Sequence, residues 1–600
     1  MRNRSFLAAI TVFLIAGTAE ARLPNEVTPR RYALTIAPDL KAGTFSGEET
    51  IDVEVVKPVT SITLHALELD VKEVQVGRGD KLAPAKVTPN AKDETITIAA
   101  TLPPGPARIT LKFSGKLNDR LRGLYRAKAG ERLYALTQFE STDARRAFPC
   151  FDEPAFKAKF QLSLLVPTGL QAISNTAIAK RAPEPGREGI ERVEFGETLP
   201  MSTYLVAIAV GEFASKSMEI PHGDAKLPIT VWAVPGRESL GGWALAEASK
   251  IVPAMEAYFG VPYPYGKLDL IAAPEFMFGG MENVATVIFR DSVLLVDEAN
   301  GAPRSRIRSS EVIAHEIAHQ WFGDLVTMQW WDDVWLNESF ATWMEKKVVA
   351  QLHPEWGVWD AFVLGRADVL RVDEMTDAHP IRLTDDREHG DGASPTIIYG
   401  KGSAVLNMLE RWIGEDSFRE GIRRYMKRHA FGNTRAEDLW NALGEVAKKP
   451  VAMVANRWIT QPGHPLVTVE RKCTAEGHTS VTLTPADIEV AKRVYVGEIP
   501  CELGASINIA PARREGFFLV RTKDMRFYMH PVESRTGAIR LEDPKRGAMW
   551  LQLGNKSMLM SQKLGQRLAD DCMNPAQHAV NEALKKNPAP SLLDAPAPTK

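Results

Sequence analysis

His315 and His319, in His315-Glu316-Ile317-Ala318-His319, are followed nineteen residues later by Glu338 in Trp335-Leu336-Asn337-Glu338-Ser339. Residues four apart on a helix share a face, so both imidazoles reach one point, and any fold of this chain has to bring Glu338 to it as well. Two His and one Glu leave a fourth tetrahedral position open. That donor set is a hydrolytic zinc site, one ion per chain, and not a closed structural one. Glu316, beside His315, lies close enough to polarise the attacking water.

The local context agrees. Val312, Ile313, Ile317, Ala318, Trp321 and Phe322 surround the polar residues with core-type side chains, as a buried site requires. Glu338 follows an aromatic-rich run, Gln329 to Trp335, and opens a second helical segment, Ser339 to Ala350.

With 600 residues, of which 44% are hydrophobic and 25% charged, the chain can bury several cores, and three or four domains are expected. A net charge of -2 and the lack of a basic stripe argue against a nucleic-acid partner. Arg2 and Arg4, the apolar run Phe6 to Ala16 and the small residues ending at Ala21 read as a secretory leader cleaved after Ala21. That run is short for a transmembrane anchor, so a periplasmic or secreted product with no stable membrane span is expected. Cys150, Cys473, Cys501 and Cys572 are too few for a disulfide-built scaffold. A Cys473-Cys501 bridge is possible, since both fall in one candidate β region, but spacing does not fix the connectivity. Cys150, among aromatics, reads as a buried thiol.

Residues 22–214 show strand-like alternation, as in Tyr32 to Ile36, Thr50 to Val55, Ser61 to Leu64 and Thr203 to Ile208. Over 215–459 the pattern begins with strands, including Leu268 to Ala272, and shifts to longer helical segments around the metal motif. Residues 460–555 return to strands, as in Val467 to Glu470, Val481 to Leu483 and Gly516 to Val520, which suggests a small β sandwich. A short helix and a disordered tail, rich in Pro and Ala from Asn587 to Lys600, are expected over 556–600. The fold class expected is a multidomain α+β chain.

Three further segments carry chemistry: Gly279-Gly280-Met281-Glu282-Asn283, Tyr399-Gly400-Lys401-Gly402, and Thr137-Gln138-Phe139-Glu140 leading into Arg145 to Pro154. With the histidine helix and Glu338, they resemble the zinc aminopeptidases of the membrane alanyl aminopeptidase type, within the gluzincins. The likeness covers most of the chain after the leader. It implies an N-terminal β domain, a thermolysin-like α/β catalytic domain and peptide substrates with a free N-terminus. It also implies that Glu282 and Glu140 hold the substrate's α-amino group, with Gly279, Gly280 and Met281 running alongside it as an edge strand. Tyr399 would donate its hydroxyl to the oxyanion, and Glu316 would serve as general base.

Glu345, seven residues beyond Glu338, either orients a ligating His or is an exposed charge beside Lys346 and Lys347. Asp324 stands where many relatives have Asn, in a polar or capping role. Few residues follow the second β region, too few for the helical C-terminal domain many relatives carry, so a more open cleft is expected. A thermolysin-like endopeptidase would share the zinc triad, but Thr342 occupies the position where such enzymes carry Asp. The Gly279 to Asn283 segment favours an exopeptidase.

Overall fold

Val27–Asp39 and Thr44–Val55 alternate buried and exposed positions, and Tyr32, Leu34, Ile36, Ile51 and Val53 all turn inward, as a sheet with one packed face requires. The computed structural model describes residues 22–375, 378–383, 394–464, 468–473, 479–484, 495–502, 505–512, 517–532, 539–543, 545–553, 556–561, 566–575, 577–578 and 582. Two units divide them, one over 22–369 and 379–461, the other over 370–378 and 462–582.

In the first unit these two strands sit inside an eight-stranded sheet. Val27–Asp39 pairs antiparallel with Thr44–Val55 and parallel with Lys159–Pro167. A four-stranded sheet runs in the order Gln171–Ser174, Ile208–Gly211, Arg132–Gln138, Gly123–Ala129, and its strand Arg132–Gln138 delivers Glu140. A five-stranded sheet follows: Ala214–His222, Ala225–Ala233, Leu268–Ala273, Thr286–Arg290 and, at its edge, Gly280–Met281. Among the described residues the edge strand pairs only with Thr286–Arg290, Gly280 opposite Phe289 and Met281 opposite Ile288.

Helices Gly242–Phe259, Pro303–His319, Trp335–Leu352 and Gly402–Ile413 carry or support the metal motif. Pro303 opens the second of these, where a missing N–H costs nothing. Gly260, at φ 65°, closes the first by a left-handed cap whose N–H reaches Glu256 O at 2.9 Å.

The second unit contains an eight-stranded antiparallel sheet, Gly497–Pro500 through Gln566–Cys572, whose spatial order follows the chain. Ile507, Ile509, Val520, Met529, Leu541, Trp550 and Leu559 fill its interior. Its ends meet, since Met573 N–H donates to Pro500 O at 3.1 Å and a disulfide joins Cys501 to Cys572.

Several expectations are corrected here. The possible Cys473-Cys501 bridge gives way to Cys501–Cys572: Cys501 just beyond the first strand meets Cys572 at the end of the last, a neighbour only the sheet's curl supplies. Thr203 to Ile208 is not a strand. Thr203–Leu205 is a 3-10 turn, and the strand starts at Ile208. The whole stretch is buried, and a run apolar on every side carries no period to tell turn from strand. After residue 555 the strands continue as Ser557–Ser561 and Gln566–Cys572, and helical residues begin only near Pro575. The leader, the tail from Asn587, Val467 and Gly516 lie outside the described residues. Cys150 is a free, buried thiol.

Candidate metal centre

His315 and His319 lie one turn apart near the end of helix Pro303–His319, buried to 8% and 1% residual exposure. Glu338 stands in the first turn of Trp335–Leu352 and points between them. Its Oε2 is 3.2 Å from His315 Nε2 and 3.5 Å from His319 Nε2. The ligand atoms of the three residues all lie within 4.8 Å of one another.

The other ring nitrogens decide whether this set suits a metal ion. His319 Nδ1 is 2.9 Å from Phe322 O. A carbonyl only accepts, so Nδ1 donates to it and Nε2 is the nitrogen left facing Glu338. His315 Nδ1 meets Glu345 Oε2 at 2.8 Å, which fixes the same tautomer through a carboxylate. Glu345 is buried and also pairs with Lys346, so it is not the exposed charge of the competing reading. Two imidazoles presenting Nε2 and one carboxylate form a donor set that fits zinc.

The field over this set favours positive charge. Burial opposes ionisation of Glu338, yet His319 and His315 overcome it and hold the carboxyl well below the usual range. Burial works against protonation of His315 as well, but Glu338 and Glu345 push it up to about 9.

Glu316 faces the same space. Burial pushes it up to about 8, opposed by His315 and His319 and reinforced by Glu282 and Glu338. It lies against the edge strand so closely that any Cβ at Gly280 would overlap its carboxyl. Glycine at 280 is therefore a packing requirement.

Beyond Glu316 the carboxylates gather. Oxygens of Glu140, Glu282 and Glu338 lie within 4.8 Å of one another, and Glu282 Oε1 has no hydrogen-bond partner among the described residues. Burial first, then Glu282 and Glu338, raise Glu140 well above its ordinary value. Carboxyls packed this closely are relieved by protonation or by a cation placed among them. Gln138 Nε2 lies 3.5 Å from Met281 Sδ, joining the Glu140 segment to the edge strand.

Tyr399 lies in a π-type helical turn, Thr396–Lys401, which runs directly into Gly402–Ile413. Its ring stacks on that of His315, with centroids 5.8 Å apart and planes inclined by 11°. Desolvation of the hydroxyl end, which faces the site while part of the ring stays exposed, then Glu338, Glu140 and Glu282, raise the phenol well above its ordinary value, so it stays a hydrogen-bond donor.

Asp324 corrects the capping expectation. Neither of its carboxylate oxygens has a partner among the described residues; the cap is made by its backbone, whose N–H reaches His319 O at 3.0 Å. Burial, with Glu282 adding, raises the carboxyl well above its usual range.

Gln320 went unread in the sequence. Its Oε1 accepts Ala285 N–H at 2.9 Å and its Nε2 donates to Glu282 O at 3.1 Å. It thus pins the segment that carries Glu282 to the end of the metal helix. The available signal was an amide placed directly after His319 in an otherwise apolar run.

Comparison with known proteins places these elements. Residues 28–205 match the peptidase M1 N-terminal domain, and residues 243–458 match the peptidase family M1 domain. The chain is 40% identical over 462 residues to Aminopeptidase M1-D of Oryza sativa subsp. japonica, covering 76% of this chain and 52% of the relative. It is 39% identical over 465 residues to Aminopeptidase M1 of Arabidopsis thaliana, with coverage of 76% and 52%. Against the Alanine/arginine aminopeptidase of Saccharomyces cerevisiae it is 37% identical over 481 residues, with coverage of 77% and 54%. The chain spans about half the length of these relatives.

Proposed function

This chain belongs to peptidase family M1, and on that premise we propose that it is a zinc-dependent aminopeptidase releasing N-terminal residues from peptides. The observation that carries the reading is the meeting of Glu140 and Glu282 with Glu338 beside the two histidines. A metal site alone would serve any peptidase. Carboxylates massed at one end of it suit a substrate whose chain ends there in an ammonium.

His315, His319 and Glu338 would hold the zinc, which when bound acidifies the attacking water and polarises the scissile carbonyl. Glu282 and Glu140 accept hydrogen bonds from the substrate's α-ammonium, fixing the cleaved bond one residue from the N-terminus. The edge strand Gly280–Met281 offers its backbone to the peptide. Glu316 takes a proton from the attacking water and passes it to the leaving amine. Tyr399 O–H donates to the oxyanion as the carbonyl carbon becomes tetrahedral.

We read the protein as periplasmic or secreted. The leader-like residues before Arg22 support this, as does the Cys501–Cys572 disulfide, since such bonds persist in oxidising compartments. No helix among the described residues is long and apolar enough to cross a membrane.

The test is metal analysis with a panel of aminoacyl amides and their N-acetylated counterparts. One zinc per chain, activity lost on chelation and restored by zinc, and cleavage confined to free-amine substrates are expected. Full activity in a metal-free sample, or equal cleavage of the acetylated series, would overturn the reading.

A further inference from the structure

Tyr399 has a demanding position, and its ring is only partly covered. It lies over His315 with its hydroxyl near Glu338, yet it is 37% exposed. Something other than burial of its ring has to set the turn that carries it.

Ser339, the residue after Glu338, is fully buried, and its hydroxyl donates to Ile398 O, one residue before Tyr399, at 2.5 Å. The bond joins helix Trp335–Leu352 to the turn Thr396–Lys401 across 59 residues of sequence. The fit around the hydroxyl is close. A Cβ at position 402 would overlap Ser339 Oγ, so glycine at 402 is what allows the serine to reach the carbonyl. The turn is held at its start as well, where Ile397 and Ile398 N–H both reach Ser394 O, at 2.9 and 3.1 Å.

We propose that Ser339 is a positioning residue for Tyr399, its hydroxyl fixing the turn so that the phenol sits over the metal centre in register with Glu338. One hydroxyl then links the placement of a metal ligand to the placement of the oxyanion donor. Because Glu338 and Ser339 are adjacent on one helix, a shift of that helix carries both groups together. The inference rests on the proposed role of Tyr399.

The experiment is a double-mutant cycle on the zinc-loaded full chain, measuring kcat and KM for one aminoacyl amide together with zinc content. Tyr399→Phe is expected to lower kcat by about a hundredfold. Ser339→Ala should lower kcat by about tenfold or more, since small misplacements near the reacting atoms are costly, with KM within about twofold and zinc retained. In the Tyr399→Phe background, Ser339→Ala should cost nothing further, because the hydroxyl it positions is already gone. A merely structural role would multiply the two losses. If Ser339→Ala does not fold, Gly402→Ala reports on the same contact, since its methyl displaces the Ser339 hydroxyl; the same kcat loss and the same non-additivity are expected. Independent, multiplying effects, or a Ser339→Ala enzyme with unchanged kcat, would overturn the proposal while leaving the role of Tyr399 standing. An unchanged kcat in Tyr399→Phe would overturn that role, and the proposal with it.

Discussion

Glu316 shows how one residue acquires its chemistry from its neighbours. An exposed glutamate is ionised at neutral pH and too weak a base to hold a proton in transit. Here burial raises the carboxyl, while His315 and His319 keep it from rising without limit, and the outcome is about 8. A group poised near the working pH can both accept and return a proton. Glu316→Gln preserves the shape but replaces one carboxyl oxygen by an NH2 donor and so removes the proposed base. Zinc should stay near one equivalent while turnover falls by about two orders of magnitude or more. Near-normal turnover in a verified, zinc-loaded Glu316→Gln sample would sink the general-base role.

Among the elements, those with a clean period were legible in the sequence and those without one were not. The helix of His315 and His319 and the strands around Tyr32 and Ile51 follow periods of 3.6 and 2. Thr203–Leu205, buried on every side, has no period to read. The site was legible where a motif is local, as at His315, His319, Glu338 and Glu282. It was not where a contact depends on how elements pack: the Ser339 hydroxyl, the Gln320 amide and the Cys501–Cys572 pair needed the fold. Glu49 is a further case, because it breaks the rule of its own strand. It sits in Thr44–Val55 opposite Leu34 and Leu111, 3% exposed, with neither oxygen hydrogen-bonded among the described residues. Burial alone raises its carboxyl well above the ordinary value. The folded state therefore binds this proton more tightly than the unfolded chain does. The associated stability is complete below the unfolded pKa of about 4.3 and is lost as pH rises through the folded value. Glu49→Gln should raise stability at pH 8, and the gain should shrink as pH falls toward 4. Thermal melts of both proteins across that range check it, and a gain that grew as pH fell would contradict the burial argument.

At the scale of the whole molecule, the proposed specificity for a free N-terminus would come from carboxyl groups that separate parts of the chain bring together. Glu140 arrives on the segment after strand Arg132–Gln138, Glu282 just past the edge strand Gly280–Met281, and Glu338 on a helix. No one element recognises an ammonium, but the three carboxylates lie within 4.8 Å of one another. On the proposed roles of Glu140 and Glu282, acetylating a peptide's amine removes the charge they would hold and adds bulk where it would stand. Glu282→Ala should therefore damage turnover of free-amine peptides severely and leave acetylated ones, already very poor, little changed. An unblocked decapeptide followed by time-resolved mass spectrometry should give a ladder of single-residue losses from its N-terminus. Each product exposes a new ammonium one residue further along, and that amine can be held by the same carboxylates. An endopeptidase built on the same metal ligands has no such end to grip, and its first products would be internal fragments. If those fragments appear first, the zinc ligands and Glu316 keep their proposed roles, but Glu140 and Glu282 lose theirs as anchors of the amine.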